Sequence, residues 1–327
     1  MFRKFSGLLI MVLLLVLLVA CSNEKTVESN NIKKIGIIQI VEHPALDDAR
    51  EGFIKELEKA GYKDGENVSY DYQNAQGDMS TAQTIARQFA YDDLDLILAI
   101  ATPTAQAVAN SVKDTPILIT AVTDPKSAGL VESLKKPGSN ITGTSDLTPV
   151  REQLELLAEI APKAKKIGII YNAGETNSVV QAELAESAAK ELGLELIPAT
   201  VSSSNEVYQS AQSLVGRVDA IYVPTDNTVV SAIQSVVKVA NENNLPLITG
   251  EDKPVEKGAL ATIGVNYYRL GRQTAKMAVE IFNGADPAEM SIEYLKDTDL
   301  VINLNAAKEM HVEISEDLIE KAKKVIK

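Results

Sequence analysis

Lys33-Lys34-Ile35-Gly36-Ile37-Ile38 returns later in the chain as Lys165-Lys166-Ile167-Gly168-Ile169-Ile170. Each copy is an apolar run behind paired lysines, the pattern of a strand buried on both faces that opens a β/α unit. Two further echoes follow in the same order. Asp95-Leu96-Ile97-Leu98, leading to Pro103-Thr104, is answered by Asp219-Ala220-Ile221-Tyr222, leading to Pro224-Thr225. Pro116-Ile117-Leu118-Ile119-Thr120, followed by Asp124-Pro125, is answered by Pro246-Leu247-Ile248-Thr249 and then Asp252-Lys253-Pro254. Between these strands lie helical patterns such as Ala45–Ala60, where Leu46, Ala49, Phe53, Ile54, Leu57 and Ala60 recur at helical spacing before Gly61 stops the run. Strand and helix patterns alternate at Val68–Tyr72, Thr81–Ala90, Leu94–Ala99, Thr104–Val112 and Ile117–Val122. The reading is an α/β protein of two similar doubly wound parallel-sheet lobes.

The turn-rich stretch Lys136-Pro137-Gly138-Ser139-Asn140-Ile141-Thr142-Gly143-Thr144-Ser145 marks a first crossing between lobes, Gly264-Val265-Asn266 a second, and Leu300–Leu304 a third. Three crossings make a multi-strand hinge that bends without unfolding either core. The expected division is 33–143 plus 266–299 for lobe 1 and 144–265 plus 300–327 for lobe 2, with a tail helix over Glu316–Ile326. Gly36 and Gly168, inside first strands, read as close-packing glycines.

The start of the chain reads differently. Arg3 and Lys4 precede an apolar run, Gly7–Ala20, that is shorter than the roughly 20 residues needed to cross a bilayer. It closes on Leu18-Val19-Ala20-Cys21, and Cys21 is the only cysteine. This resembles a bacterial lipoprotein lipobox, which implies a signal peptide over 1–20, lipid on Cys21, a polar flexible tether over 21–32 and an extracytoplasmic body anchored to the cell membrane.

Composition narrows the function. The net charge of −13 repels phosphate backbones and disfavours nucleic acid as a partner. One cysteine and two histidines, His43 and His311, leave no disulfide, thiolate metal site or His-rich zinc site. No G-x-G-x-x-G follows either first strand and there is no Walker A, G-x-S-x-G or H-E-x-x-H, so neither a cofactor nor an enzyme is expected.

In open α/β sheets, ligands bind beyond the carboxyl ends of the strands. Those tips hold Glu42-His43-Pro44, Thr102-Pro103-Thr104 and Thr123-Asp124 in the first half. In the second they hold Tyr171 to Ser178 (with Glu175 and Asn177), Pro224 to Thr228 (with Asp226 and Asn227) and Gly250-Glu251-Asp252. Thr104, Asn177 and Asp226 fall where helices begin, so each reads equally as an N-cap or as a ligand contact. Thr102 and Thr104 beside a helix start suit a carboxylate, and Asp226 with Glu175 suits an ammonium, which together describe a cage for a zwitterion. His43 is a candidate at the cleft rim. A carboxylate-dependent enzyme using Glu251 and Asp252, or a ligand-sensing ectodomain, are the alternatives, although the absence of tryptophan weakens a carbohydrate reading.

Several of these stretches also carry a resemblance. Val41-Glu42-His43-Pro44-Ala45-Leu46-Asp47, Gln73-Asn74-Ala75-Gln76-Gly77-Asp78, Ala99-Ile100-Ala101-Thr102-Pro103, Ala121-Val122-Thr123-Asp124-Pro125, Tyr222-Val223-Pro224-Thr225-Asp226-Asn227-Thr228 and Gly258-Ala259-Leu260-Ala261-Thr262 are similar to the substrate-binding lipoproteins of ABC importers. Within them, the chain is most similar to the group associated with tryptophan and tyrosine uptake. The resemblance runs from Lys33 to the C-terminus. It implies a type I periplasmic-binding-protein fold, a monomer that closes on one aromatic amino acid and passes it to permease subunits. Ligand contacts are expected from His43, Thr102, Thr104, Thr123, Asp124, Glu175, Asn177, Ser178, Asp226 and Asn227.

Overall fold

The computed structural model describes residues 32–295 and 297–327. The signal peptide, Cys21 and nearly all of the tether therefore lie outside the described residues. Two sheets carry the fold, and in both the strands run parallel but for one pair, with helices between them and the central strands buried on both faces.

The first sheet is built from β1 (Lys33–Gln39), β2 (Val68–Asn74), β3 (Leu96–Ile100), β4 (Ile117–Thr120), β5 (Ile141–Ser145) and β11 (Glu293–Tyr294), in the order β11-β5-β4-β3-β1-β2. The second is built from β6 (Lys166–Asn172), β7 (Glu195–Val201), β8 (Ala220–Val223), β9 (Leu247–Thr249), β10 (Ala261–Gly264), β12 (Asp299–Asn303) and β13 (Lys324–Ile326), in the order β13-β12-β10-β9-β8-β6-β7. Among the described residues, the antiparallel pairing is that of β10 with β12, where the tail returns along the sheet. Each sheet has its own hydrophobic core. No helix among the described residues is long and apolar enough to cross a membrane.

The glycines inside the first strands keep helices close. A Cβ on Gly36 would stand 2.8 Å from Leu94 Cδ1, and one on Gly168 would stand 2.6 Å from Leu214 Cδ1. In the first lobe, α1 (Pro44–Lys59) and α10 (Tyr267–Phe282) approach closer still. A Cβ on Gly52 would lie 2.2 Å from the Tyr268 carbonyl, and one on Gly271 would lie 1.8 Å from the Ala49 carbonyl.

The tail differs from its sequence reading. The expected helix over Glu316–Ile326 ends at Lys321 as α12 (Glu316–Lys321), started by Ser315, whose side chain accepts from the Leu318 amide. Lys324–Ile326 is instead the strand β13, paired with β12, because Val325 and Ile326 fit a sheet edge better than a helix end. The third crossing falls between β11 and β12, just ahead of the expected Leu300–Leu304, because Asp299–Asn303 is already a strand of the second sheet. The chain leaves the first sheet after β5, returns to it after β10, and leaves it again after β11.

Candidate functional site

The carboxyl ends of both sheets face one another, and between them lies a small buried cavity of about 10 Å³, room for little more than one water. The first lobe contributes His43 and Leu46 from the start of α1 and Ala121 and Thr123 from the loop after β4. The second contributes Asn177 from α5 (Thr176–Leu192), Thr225, Asp226 and Asn227 from the loop after β8, and Glu251 after β9. Asp146, just after β5, and Tyr267, the first residue of α10, complete the wall. A larger opening of about 730 Å³ leads outward past Gln76–Met79, Pro103, Asn172–Glu175 and Thr200–Ser204.

Local backbone chemistry sets these positions. Asp226 begins α7 (Asn227–Ser231): its Oδ1 accepts from the Val229 amide at 2.7 Å, and its Oδ2 accepts from the Asn172 amide at 2.6 Å. It caps its helix and ties the end of β6 to the end of β8. Glu175 accepts from Asn227 Nδ2 at 2.5 Å, Thr228 Oγ1 at 2.7 Å and Asn172 Nδ2 at 3.3 Å. Asp146 accepts from Tyr267 OH at 2.6 Å and Thr123 Oγ1 at 3.1 Å, joining the end of β5 to the start of α10 and to the loop after β4.

The cavity is rich in acid and lined by no lysine or arginine. Burial pushes the Asp146 carboxyl above its usual range. Asp226 is raised by burial and by Glu175 beside it, while Glu251 is raised by burial and by Asp252, Asp146 and Asp226. His43 goes the other way, held down to about 4 by burial, so its ring is neutral. Four buried polar atoms in this wall have no partner: both ring nitrogens of His43, Asn177 Oδ1 and Glu251 Oε2.

Of the residues singled out in the sequence, His43, Thr123, Asn177, Asp226 and Asn227 come together around the cavity, and Glu175 lines the larger opening. Ser178 is fully buried beside them and accepts from Asn177 Nδ2 at 3.1 Å. Three are placed elsewhere. Thr104 is the third residue of α3 (Thr102–Ser111), and its hydroxyl donates to the Ile100 and Ala101 carbonyls at 2.6 and 2.9 Å. Asp124 closes a turn, accepting from the Lys126 and Ser127 amides at 3.0 Å and from Ser127 Oγ at 2.6 Å. Thr102 keeps a buried hydroxyl without a partner but does not line the cavity. Asp146, Tyr267, Leu46 and Ala121 join the wall without having been candidates in the sequence, and Thr225 joins it from the strand-tip stretch Pro224 to Thr228. Asp146 follows β5 directly, but the sequence marks that stretch as a crossing rather than a strand, and Tyr267 opens α10, which no strand-tip rule reaches. Glu251 is visible there only as half of an acidic pair.

Comparison with known proteins places this geometry in a family. The family model for ABC transporter substrate binding proteins matches residues 34–326. The tyrosine-binding protein of Clostridioides difficile is 48% identical over 294 residues, covering 90% of this chain and 85% of that one. Among solved structures, an ABC domain in complex with L-Trp from Streptococcus pneumonia is 38% identical, with TM-score 0.87 over 90% of this chain and all of that one. A ligand-free, open substrate-binding protein with adhesive properties from Clostridium difficile is 51% identical over 90% of this chain and 99% of that one, yet its TM-score is 0.69. Greater identity with a poorer superposition is what a rigid rotation of one lobe against the other produces, so the lobes here stand in the closed arrangement. A two-lobed type I periplasmic-binding-protein fold closed over a buried polar cavity is what such proteins use to carry a solute, and the chain belongs to the ABC transporter substrate-binding protein family.

Proposed function

We propose that the protein captures an aromatic amino acid, tyrosine, tryptophan or phenylalanine, in the cleft between its lobes, where the small cavity widens to admit it, and delivers it to the permease of an ABC importer. The observation that carries this reading is a buried, acid-lined cavity with no cationic side chain on its wall and with unpartnered acceptors at Glu251, Asn177 and His43. Such a wall is costly until a ligand brings donors and positive charge, as an α-ammonium does. Similarity to a tyrosine-binding protein and to a structure holding L-Trp supports the aromatic side chain. The ligand would bind one lobe first, and contacts from the other would shift the population to the closed state.

The same reading covers the rest of the chain. Residues 1–20 act as a signal peptide, Cys21 carries the lipid, and 21–32 tether a monomeric body near its permease, which raises its effective concentration there. The lobes divide close to 33–143 plus 266–299 and 144–265 plus 300–327. The protein performs no turnover, so a bound amino acid is recovered unchanged after long incubation.

The chain has no tryptophan, so indole emission reports added L-tryptophan alone. Calorimetric titration with the three aromatic amino acids should give saturable binding and a higher melting temperature for at least one. Absence of heat and of thermal protection with all three at millimolar concentration would refute the aromatic reading.

A further inference from the structure

Three carboxylates, Asp146, Asp226 and Glu251, line the cavity and Glu175 stands at the opening next to it, and their hydrogen bonds differ in a way that separates scaffold from ligand contact. Both oxygens of Asp226 accept backbone amides, from Asn172 and Val229. Glu175 is met by Asn172, Asn227 and Thr228. Asp146 is met on one oxygen by Thr123 and on the other by Tyr267. Glu251 is 2% exposed, and its Oε2 is buried without a partner while it lines the cavity. Asn177 Oδ1, 5% exposed, is likewise unpartnered in the same wall, and the neutral His43 ring adds a third free acceptor.

Three free acceptors in one cavity match the three N–H donors of a primary ammonium, whereas a phenol or an indole offers one donor. Burying a carboxylate with no donor is among the costlier arrangements a fold can hold, and a charge-assisted hydrogen bond from the ligand relieves it. Building on the reading of an amino-acid ligand, we propose that Glu251, with Asn177 in the same cavity wall, is the group that recognises the ammonium, and that Asp226 and Glu175 serve to hold the second lobe's rim in shape. This reverses the assignment that the sequence suggested for Asp226.

A consequence follows for protons. Without ligand, burial and the neighbouring Asp252, Asp146 and Asp226 favour a protonated Glu251, with Tyr267 also close and His43 neutral. An ammonium on Glu251 favours its ionised form, so binding releases a proton from the Glu251 carboxyl to solvent. Affinity is then greatest above the titration of the free protein and falls as pH falls through it.

The test compares L-tyrosine with 3-(4-hydroxyphenyl)propanoate, the same molecule without its ammonium. By calorimetry the wild type should prefer the amino acid by about 100-fold or more, the scale of losing a partner from a buried charge pair. Glu251→Gln, which keeps shape and removes charge, should reduce that preference to under about tenfold. In the wild type alone, the binding heat should change between buffers of different ionisation enthalpy in the sense of proton release, a readout that needs no variant. An undiminished preference in Glu251→Gln, or a preference that survives there and vanishes in Asp226→Asn, overturns the assignment, as does binding that moves no proton. A wild type that binds no aromatic amino acid at all instead refutes the ligand reading on which the assignment rests.

Discussion

The two lobes are nearly alike at their floors and unlike at their rims. At the floor of the first, Asp95 Oδ2 accepts from the Lys34 amide at 2.8 Å, and at the floor of the second Asp219 Oδ2 accepts from the Lys165 and Lys166 amides at 2.8 Å. The same aspartate, from the turn before a neighbouring strand, pins the same double-lysine start. At the rims the likeness ends. Thr104 and Asp124 in the first lobe spend their polar groups within their own turns, while Asn172, Glu175, Asn227 and Thr228 in the second form one side-chain network beside the cavity. What repeats builds a sheet, and what has diverged meets the ligand. The difference can be attacked at several depths.

The deepest lies in the first lobe, where α1 and α10 touch backbone to backbone at Gly52 and Gly271. A side chain at Gly271 must move a helix rather than a rotamer. Gly271→Val should therefore destabilise the first lobe by about 3 kcal/mol or more, lowering its calorimetric transition while the second lobe's stays in place. Gly193 ends α5 at φ 68, and a Cβ added there would meet nothing within 4 Å. Gly193→Ala should therefore cost only about 1 kcal/mol, the strain of a left-handed alanine. Equal losses from the two changes would mean that the helix contact is not what holds the first lobe together.

That contrast also explains how much the sequence disclosed. Repeated apolar strands such as Ile35–Ile38 and Ile167–Ile170 announce themselves because both faces are buried, and the doubly wound order follows from their alternation with helices. Polar residues at strand tips were legible as a group, since such tips face the cleft in any open α/β sheet. Which of them meets the ligand was not, because a capping aspartate and a ligand-binding aspartate are the same residue in the same place. Thr104 and Asp124 proved to be turned inward, and only the bonds already made at Asp226 and missing at Glu251 separate their roles. Asp146 and Tyr267 were illegible for another reason: they act through a contact between the end of β5 and the start of α10, far apart in sequence. The tail misled because helix Glu316–Lys321 and strand Lys324–Ile326 adjoin without a glycine or proline to mark the change.

A smaller effect is expected where the lobes meet outside the cavity. Lys253 Nζ on α9 (Asp252–Glu256) lies 2.8 Å from Asp48 Oδ2 on α1, with both side chains about a quarter exposed or less. Lys253 follows closely on Glu251, and Asp48 on Leu46, so the pair closes only when the cavity walls have come together. Asp48→Ala or Lys253→Ala should speed ligand release roughly three- to tenfold at low salt, by removing about 1 kcal/mol from the closed state, with less change in association. At high ionic strength the difference from wild type should shrink. A release rate in stopped flow that both variants share with the wild type would leave closure to the ligand alone.

The smallest expected effect tests the likeness rather than the difference. Asp95 is raised by burial, but the Lys33 ammonium and the Lys34 amide outweigh that and hold it below its usual value; Asp219 is held down by the Lys165 and Lys166 amides. A carboxyl whose folded value is depressed adds stability above its unfolded value, near 3.9, and loses that contribution as pH falls through the folded one. Asp95→Asn and Asp219→Asn should each cost under about 1 kcal/mol at neutral pH, because solvent screens both sites. Each difference from wild type should fade in acid melts below about pH 4. The two sites serve separate sheets and share no partner, so the double variant should show the sum of the single losses. A loss confined to one of them would show that the matching floors are a likeness of sequence without a matching role.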